Sequence, residues 1–270
     1  MAIGLVPSYA LFCVVQAGLV LVPGRRGIRY RIPAAGIVVP TIAFGIGLAI
    51  VRGLSEGSTG LAWLATVATP VLAALSGRLL GLRRPWATAV LAAVLYVLCW
   101  QLSSAAGEAA GVLLIAMACL ALAAALAAIT TRTSIEVGLV VLAIVDVILV
   151  WGTPEVSATT TALGGTTLPH HLPALQEATF GSALMGWLDF LAPALLGAVV
   201  EPRVRVRAAV VTGLAAGAWG LLLMVTSTIP ATVPVLVGLL AAHVGSRRRQ
   251  RSPGTGVRPP VQAAIRDAAR

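Results

Sequence analysis

Asp146 and Asp189 are the residues of this chain best suited to chemistry, because each stands inside a long apolar run: Asp146 between Leu139–Val145 and Val147–Trp151, Asp189 between Leu184–Leu188 and Phe190–Ala192. An ionised carboxylate at the centre of a bilayer costs at least about 2.5–3.5 kcal/mol on insertion scales, so such residues face a bundle interior and carry function. No basic side chain lies at comparable depth in another apolar stretch, and the partner expected for each acid is the other one. Two carboxylates a few ångströms apart do not both ionise easily and titrate as a unit. One ionised and one protonated carboxyl suit amide hydrolysis, the first taking a proton from water while the second donates to the scissile carbonyl. The alternative is that each acid separately hydrogen-bonds its neighbours and serves structure alone.

The elements that must position the two acids follow from composition. Of 270 residues, 59% are hydrophobic and 10% charged, and the mean hydropathy is +0.97. A soluble domain needs far more charge, so the expected class is an all-α polytopic membrane protein. The apolar runs predict nine transmembrane helices, at 3–22, 33–51, 59–77, 86–102, 110–130, 135–152, 180–200, 208–227 and 230–245. All 19 basic residues are Arg, and with the N-terminus outside 18 of them fall in inner segments or the tail, leaving only Arg52 outside. That asymmetry orients membrane helices. It predicts a multi-pass protein of the cell membrane, N-terminus extracytoplasmic and C-terminus cytoplasmic, with a nine-helix domain over 1–245 and a disordered basic cytoplasmic tail over 246–270. The net charge of +10 is assigned to anionic lipid rather than nucleic acid. Arg25 is the first basic residue and follows the first apolar run, which therefore reads as a membrane helix and not as a cleaved signal.

An outer loop over 152–179, with a weakly amphipathic piece from Leu168 to Ala178, joins the sixth and seventh spans. Those spans are antiparallel. Asp146 is about six residues and Asp189 about nine from the outer side, depths of roughly 9 and 14 Å, close enough for the carboxyls to meet. Pro193 stands four residues after Asp189 and leaves the Asp189 carbonyl without its helical donor, so the helix is expected to loosen there and admit water or substrate backbone; simple packing is the alternative. Pro230 and Pro234 interrupt the start of the ninth span. They predict either irregular backbone able to pair with an extended peptide or an ordinary helix start with Pro in its first turn.

The remaining polar residues carry weaker signals. His170 and His171 have no third ligand at metal spacing. Cys13, Cys99 and Cys119 lie in apolar runs and read as core residues. Gln16 and Gln101 are expected to bond between helices. Glu136, Glu201 and His243 sit at inner helix ends within reach of water or loop Arg. No cofactor or metal motif is present in the sequence.

Motif order resembles that of the presenilin and signal peptide peptidase family of intramembrane aspartic proteases, especially its archaeal presenilin-like branch. Val145-Asp146 and the apolar residues to Val150 resemble the sixth-helix motif, with Val145 in place of the usual Tyr. Met185-Gly186-Trp187-Leu188-Asp189, followed by Pro193, resembles Met-Gly-Leu-Gly-Asp-x-x-x-Pro, and Pro234-Val235-Leu236 resembles Pro-Ala-Leu. The resemblance implies nine spans, an Asp146–Asp189 catalytic dyad, substrate contacts by Gly186, Leu188, Pro234, Val235 and Leu236, and membrane-helix protein substrates. Two departures stand out: Leu188 replaces a family Gly beside the catalytic Asp, and Val235 replaces Ala. The outward N-terminus matches signal peptide peptidases and implies substrates running in the type II sense. Two other functions fit the same acids: a proton-coupled transporter using them as a relay, and a catalytically inactive presenilin-like scaffold, which Leu188 favours.

Overall fold

Alanine, glycine and leucine fill residues 105–129 on every side, and a helix apolar all round must be buried on more than one face. In the structure, a computed structural model that describes residues 4–22, 57–152, 166, 168–169, 172–226 and 228–251, this stretch is the long helix α4 (Ala105–Ile129). Three helices precede it: α1 (Leu5–Leu21), α2 (Gly57–Leu79) and α3 (Pro85–Gln101). After it come α5 (Arg132–Gly152), strands β1 (Glu177–Phe180) and β2 (Ala183–Gly186), α6 (Trp187–Val199), α7 (Pro202–Gly220) with a 3₁₀ turn at Leu221–Met224, and α8 (Val233–Arg251).

Helix α4 works in two directions. Ala110, Leu114 and Ala118 pack on α2 and α3. Val112, Ile115, Cys119, Ala123 and Leu126 pack into the larger core, which α6 centres. Every residue from Phe190 to Val200 is buried, and α6 touches α1, α4, α5, α7 and α8. On α5, Ile135, Leu139 and Leu142 turn inward at the helical spacing that brings Asp146 to the same side. Val137, Val140, Ile144, Ile148 and Trp151 form an exposed apolar stripe opposite. Four helical stretches, Ser58–Leu79, Ala105–Ile129, Arg132–Gly152 and Pro202–Met224, are long and apolar enough to cross a membrane. Leu5–Leu21, Pro85–Gln101, Trp187–Val199 and Val233–Gly245 are apolar but shorter. Long apolar helices with exposed apolar stripes point to association with a membrane.

Several expected boundaries are corrected. The seventh span, 180–200, is not one helix: an antiparallel hairpin pairs Glu177 with Gly186 and Phe180 with Ala183, and the helix starts only at Trp187. Gly181 at φ 59 makes the two-residue turn with Ser182, a left-handed conformation that suits glycine at a hairpin tip. In the piece from Leu168 to Ala178, residues 172–176 are irregular and Glu177 and Ala178 already belong to β1. The helix of the expected eighth span, α7, begins at Pro202, ahead of the expected 208, because proline is well placed at a first helical position. Helix α8 runs past 245 to Arg251; Arg and Gln are good helix formers, and positive charge suits a helix C-terminus. The tail therefore does not begin at 246. The second expected span, His170 and His171 lie outside the described residues, which contain eight α-helices.

Candidate functional site

Asp189 sits in the first turn of α6 because the hairpin delivers the chain to that point in extended form. Its Oδ2 accepts the N–H of Gly186, the residue before the helix, at 3.1 Å. A carboxylate there meets both an unpaired amide and the positive end of the helix dipole. The main chain of Asp189 is also held. Pro193 offers no N–H to the Asp189 carbonyl, and the side-chain amide of Gln16 on α1 donates to that oxygen at 3.2 Å. Gln16 is only 1% exposed and also lies 3.7 Å from Met185 Sδ. The carbonyl that proline frees is thus occupied by a side chain of the bundle. Gln16 fulfils its expected interhelical role, whereas Gln101 is exposed at the end of α3.

Asp146 comes from the C-terminal third of α5, and α5 packs directly on both α6 and α8. Thr232, immediately before α8, donates to Asp146 Oδ2 twice, from its hydroxyl at 2.6 Å and its N–H at 3.3 Å. Asp146 therefore faces the start of α8 much as Asp189 faces the start of its own helix. Asp146 and Asp189 thus stand on two helices that pack directly against one another. Each acid has one oxygen fixed by donors; the Oδ1 atoms accept no hydrogen bond among the described residues.

The other expected site residues take definite positions. Gly186 ends β2 and is the Asp189 donor; a Cβ there would sit 3.4 Å from Asp189 Oδ2. Leu188 is half-buried against the main core. Pro234 lies in the first turn of α8 and is buried, Val235 is 1% exposed, and Leu236 packs partly on the core. Of the two readings of Pro230–Leu236, the ordinary helix start is the one observed from Val233 onward, while Pro230 lends its carbonyl to the Trp219 indole N–H at 3.0 Å. Thr232 carried no signal in the sequence beyond lying between two prolines.

At the other end of α5, Arg132 bonds Glu136 at 2.6 Å and Glu201 at 3.1 Å, and His243 Nε2 lies 3.5 Å from Glu136. These groups tie α5, the α6–α7 turn and α8 together, as their position at helix ends foretold. Partly exposed pairs of this kind contribute little each. Cys13, Cys99 and Cys119 are free thiols, the last fully buried, and no three His, Cys, Asp or Glu among the described residues group as metal ligands.

The arrangement anchors two carboxyls on contacting helices, each held through one of its oxygens. Comparison with protein-family models, with curated proteins and with solved structures gives no match to this chain.

Proposed function

We propose that the chain is an intramembrane aspartic endopeptidase of presenilin type, with Asp146 and Asp189 as its dyad. The observation that carries this reading is the pairing itself: two carboxyls on contacting helices, each with one oxygen fixed and the other unengaged among the described residues. In the reaction, the ionised member removes a proton from a water as its oxygen attacks the scissile carbonyl. The protonated member donates to the carbonyl oxygen, giving a tetrahedral diol. Collapse of the diol breaks the C–N bond: the protonated acid gives its proton to the departing nitrogen while the ionised one takes a proton from a diol hydroxyl, so the pair ends singly protonated. As a coupled pair the two acids exchange acid and base roles.

In this reading the chain crosses the cell membrane nine times, N-terminus outside. Its substrates are membrane-spanning segments, and Gly186, Leu188, Pro234, Val235 and Leu236 border the groove that receives them. The test is cleavage of a single-span substrate by the purified protein in detergent. Asp146→Asn and Asp189→Asn are each expected to abolish it. Cleavage surviving either change would overturn the assignment. The inactive-scaffold reading rests on Leu188 beside Asp189, and the same assay addresses it: activity appearing only with Leu188→Gly would mean that the native chain binds such segments without cutting them.

A further inference from the structure

Beside the hairpin lies a cavity of about 160 Å³ lined by Cys99 and Leu102 of the α3 end, Glu108 of α4, Pro173 and Leu175 of the preceding loop, and Glu177 of β1. Two features make it more than a packing gap. Glu177 is only 8% exposed, yet its carboxyl has no hydrogen bond and no ion pair among the described residues. A carboxyl this little exposed, opening on a cavity with no protein donor among the described residues, calls for an explanation. Across the cavity, Glu108 Oε2 accepts the Gly181 N–H at 2.7 Å, which leaves its other oxygen uncommitted. The lining therefore supplies carboxylate oxygens and no positive charge.

We propose that this cavity binds an organic cation carried on a short apolar stem, the guanidinium or ammonium head of an Arg or Lys side chain in the membrane segment that the dyad acts on. That the cation comes from a substrate rests on the protease reading; that the cavity takes a cation does not. A guanidinium presents paired N–H donors to a carboxylate in fork geometry, and Leu102, Pro173 and Leu175 suit its methylene stem. The volume is ample, since a single water needs only about 10–15 Å³. A divalent metal fits poorly, because calcium and magnesium take about six or more oxygen ligands and no three acidic or soft ligands group here. The site is also wired to the acids: Glu177 is the register partner of Gly186, whose N–H holds Asp189. A cation held by Glu177 would thus load the residue whose backbone pairs with the one that orients Asp189.

The test uses the full chain carrying Asp146→Asn and Asp189→Asn, reconstituted in lipid nanodiscs, so that binding is read without turnover. Fluorescent single-span peptides bear Arg, or its uncharged isostere citrulline, at successive positions near the end that enters beside the hairpin. At one or two positions Arg is expected to bind at least about tenfold more tightly than citrulline, with Glu177→Gln erasing the difference and Glu108→Gln reducing it. Arginine amide should displace the Arg peptide and not the citrulline peptide, a measurement that needs no change at Glu177. Equal affinities at every position, or an Arg preference that survives both Gln substitutions, would overturn the proposal. An Arg preference combined with no cleavage by the unsubstituted chain would uphold the cation site while removing the protease as its reason.

Discussion

Thr232 donates both its hydroxyl and its amide to one oxygen of Asp146, so it fixes which face of that carboxyl is left for chemistry. A hydrogen bond to a charged partner contributes about 1.5–3 kcal/mol. Thr232→Val keeps the shape and deletes the hydroxyl, and it is expected to lower kcat for cleavage by about ten- to a hundredfold with KM little changed; Thr232→Ser should restore most of the loss. Equal kcat in the Val variant would show that the contact positions nothing. The two acids stand out in the sequence because a carboxylate in an apolar run is costly unless it is partnered, and Pro193 identifies the carbonyl that needs a donor. Gln16 was legible as an interhelical donor, but its acceptor was not, since nothing in the chain places α1 beside α6. Thr232 was illegible for a related reason: threonine is common in this sequence, and only the approach of α5 to α8 singles this one out. Glu177 sits just outside the apolar run that was read as a span, where an acid passes for a loop residue.

At the scale of elements, the hairpin is what the apolar pattern concealed. Residues 180–200 have the length and composition of a spanning helix, and a short apolar run does not separate helix from strand. The Gly181-Ser182 pair is the local turn element inside that otherwise apolar run. The consequence is mechanical. Because α6 starts at Trp187, Asp189 lies in its first turn, where a backbone amide can grip it, rather than midway along a helix whose amides are all committed. Non-helical backbone survives in apolar surroundings only when protein covers it; here β1 is backed by α4 and β2 by α1. The tip is pinned by Glu108 to the Gly181 amide and by Ser8 Oγ to the Ser182 amide at 3.4 Å. Gly181→Ala must hold a side chain at φ 59, which costs about 1–2 kcal/mol. Faster hydrogen exchange of the amides across 177–186, with the protection of α4 unchanged, is the expected result. Unaltered exchange in the strands would mean that the turn does not set the hairpin.

Over the whole molecule, one buried helix, α6, gathers α1, α5 and α8 around the acids, and the closeness of that gathering depends on residues without side chains. Two adjoining bundles share α4, and Trp187 touches the cores of both. A close backbone-to-backbone approach in the acid-bearing half is at Gly197: a Cβ there would lie 2.6 Å from the Leu19 carbonyl oxygen and 2.8 Å from that of Val20. These are backbone atoms, so α1 as a body must move to make room, at a cost of about 1–3 kcal/mol. Gln16 stands one turn earlier on that same helix and would move with it, loosening its bond to the Asp189 carbonyl. Gly197→Ala is therefore expected to lower thermal stability in detergent and to reduce cleavage together, although residue 197 is about two turns from Asp189. Gly217→Ala on α7 is the matched control, because a Cβ there meets nothing within 4 Å. Its greater helix propensity should leave stability equal or raise it by up to about 1 kcal/mol. If both substitutions behaved alike, close packing of α1 on α6 would not be what holds the acid in place, and the Gln16 contact would be a passenger of the fold rather than part of its design.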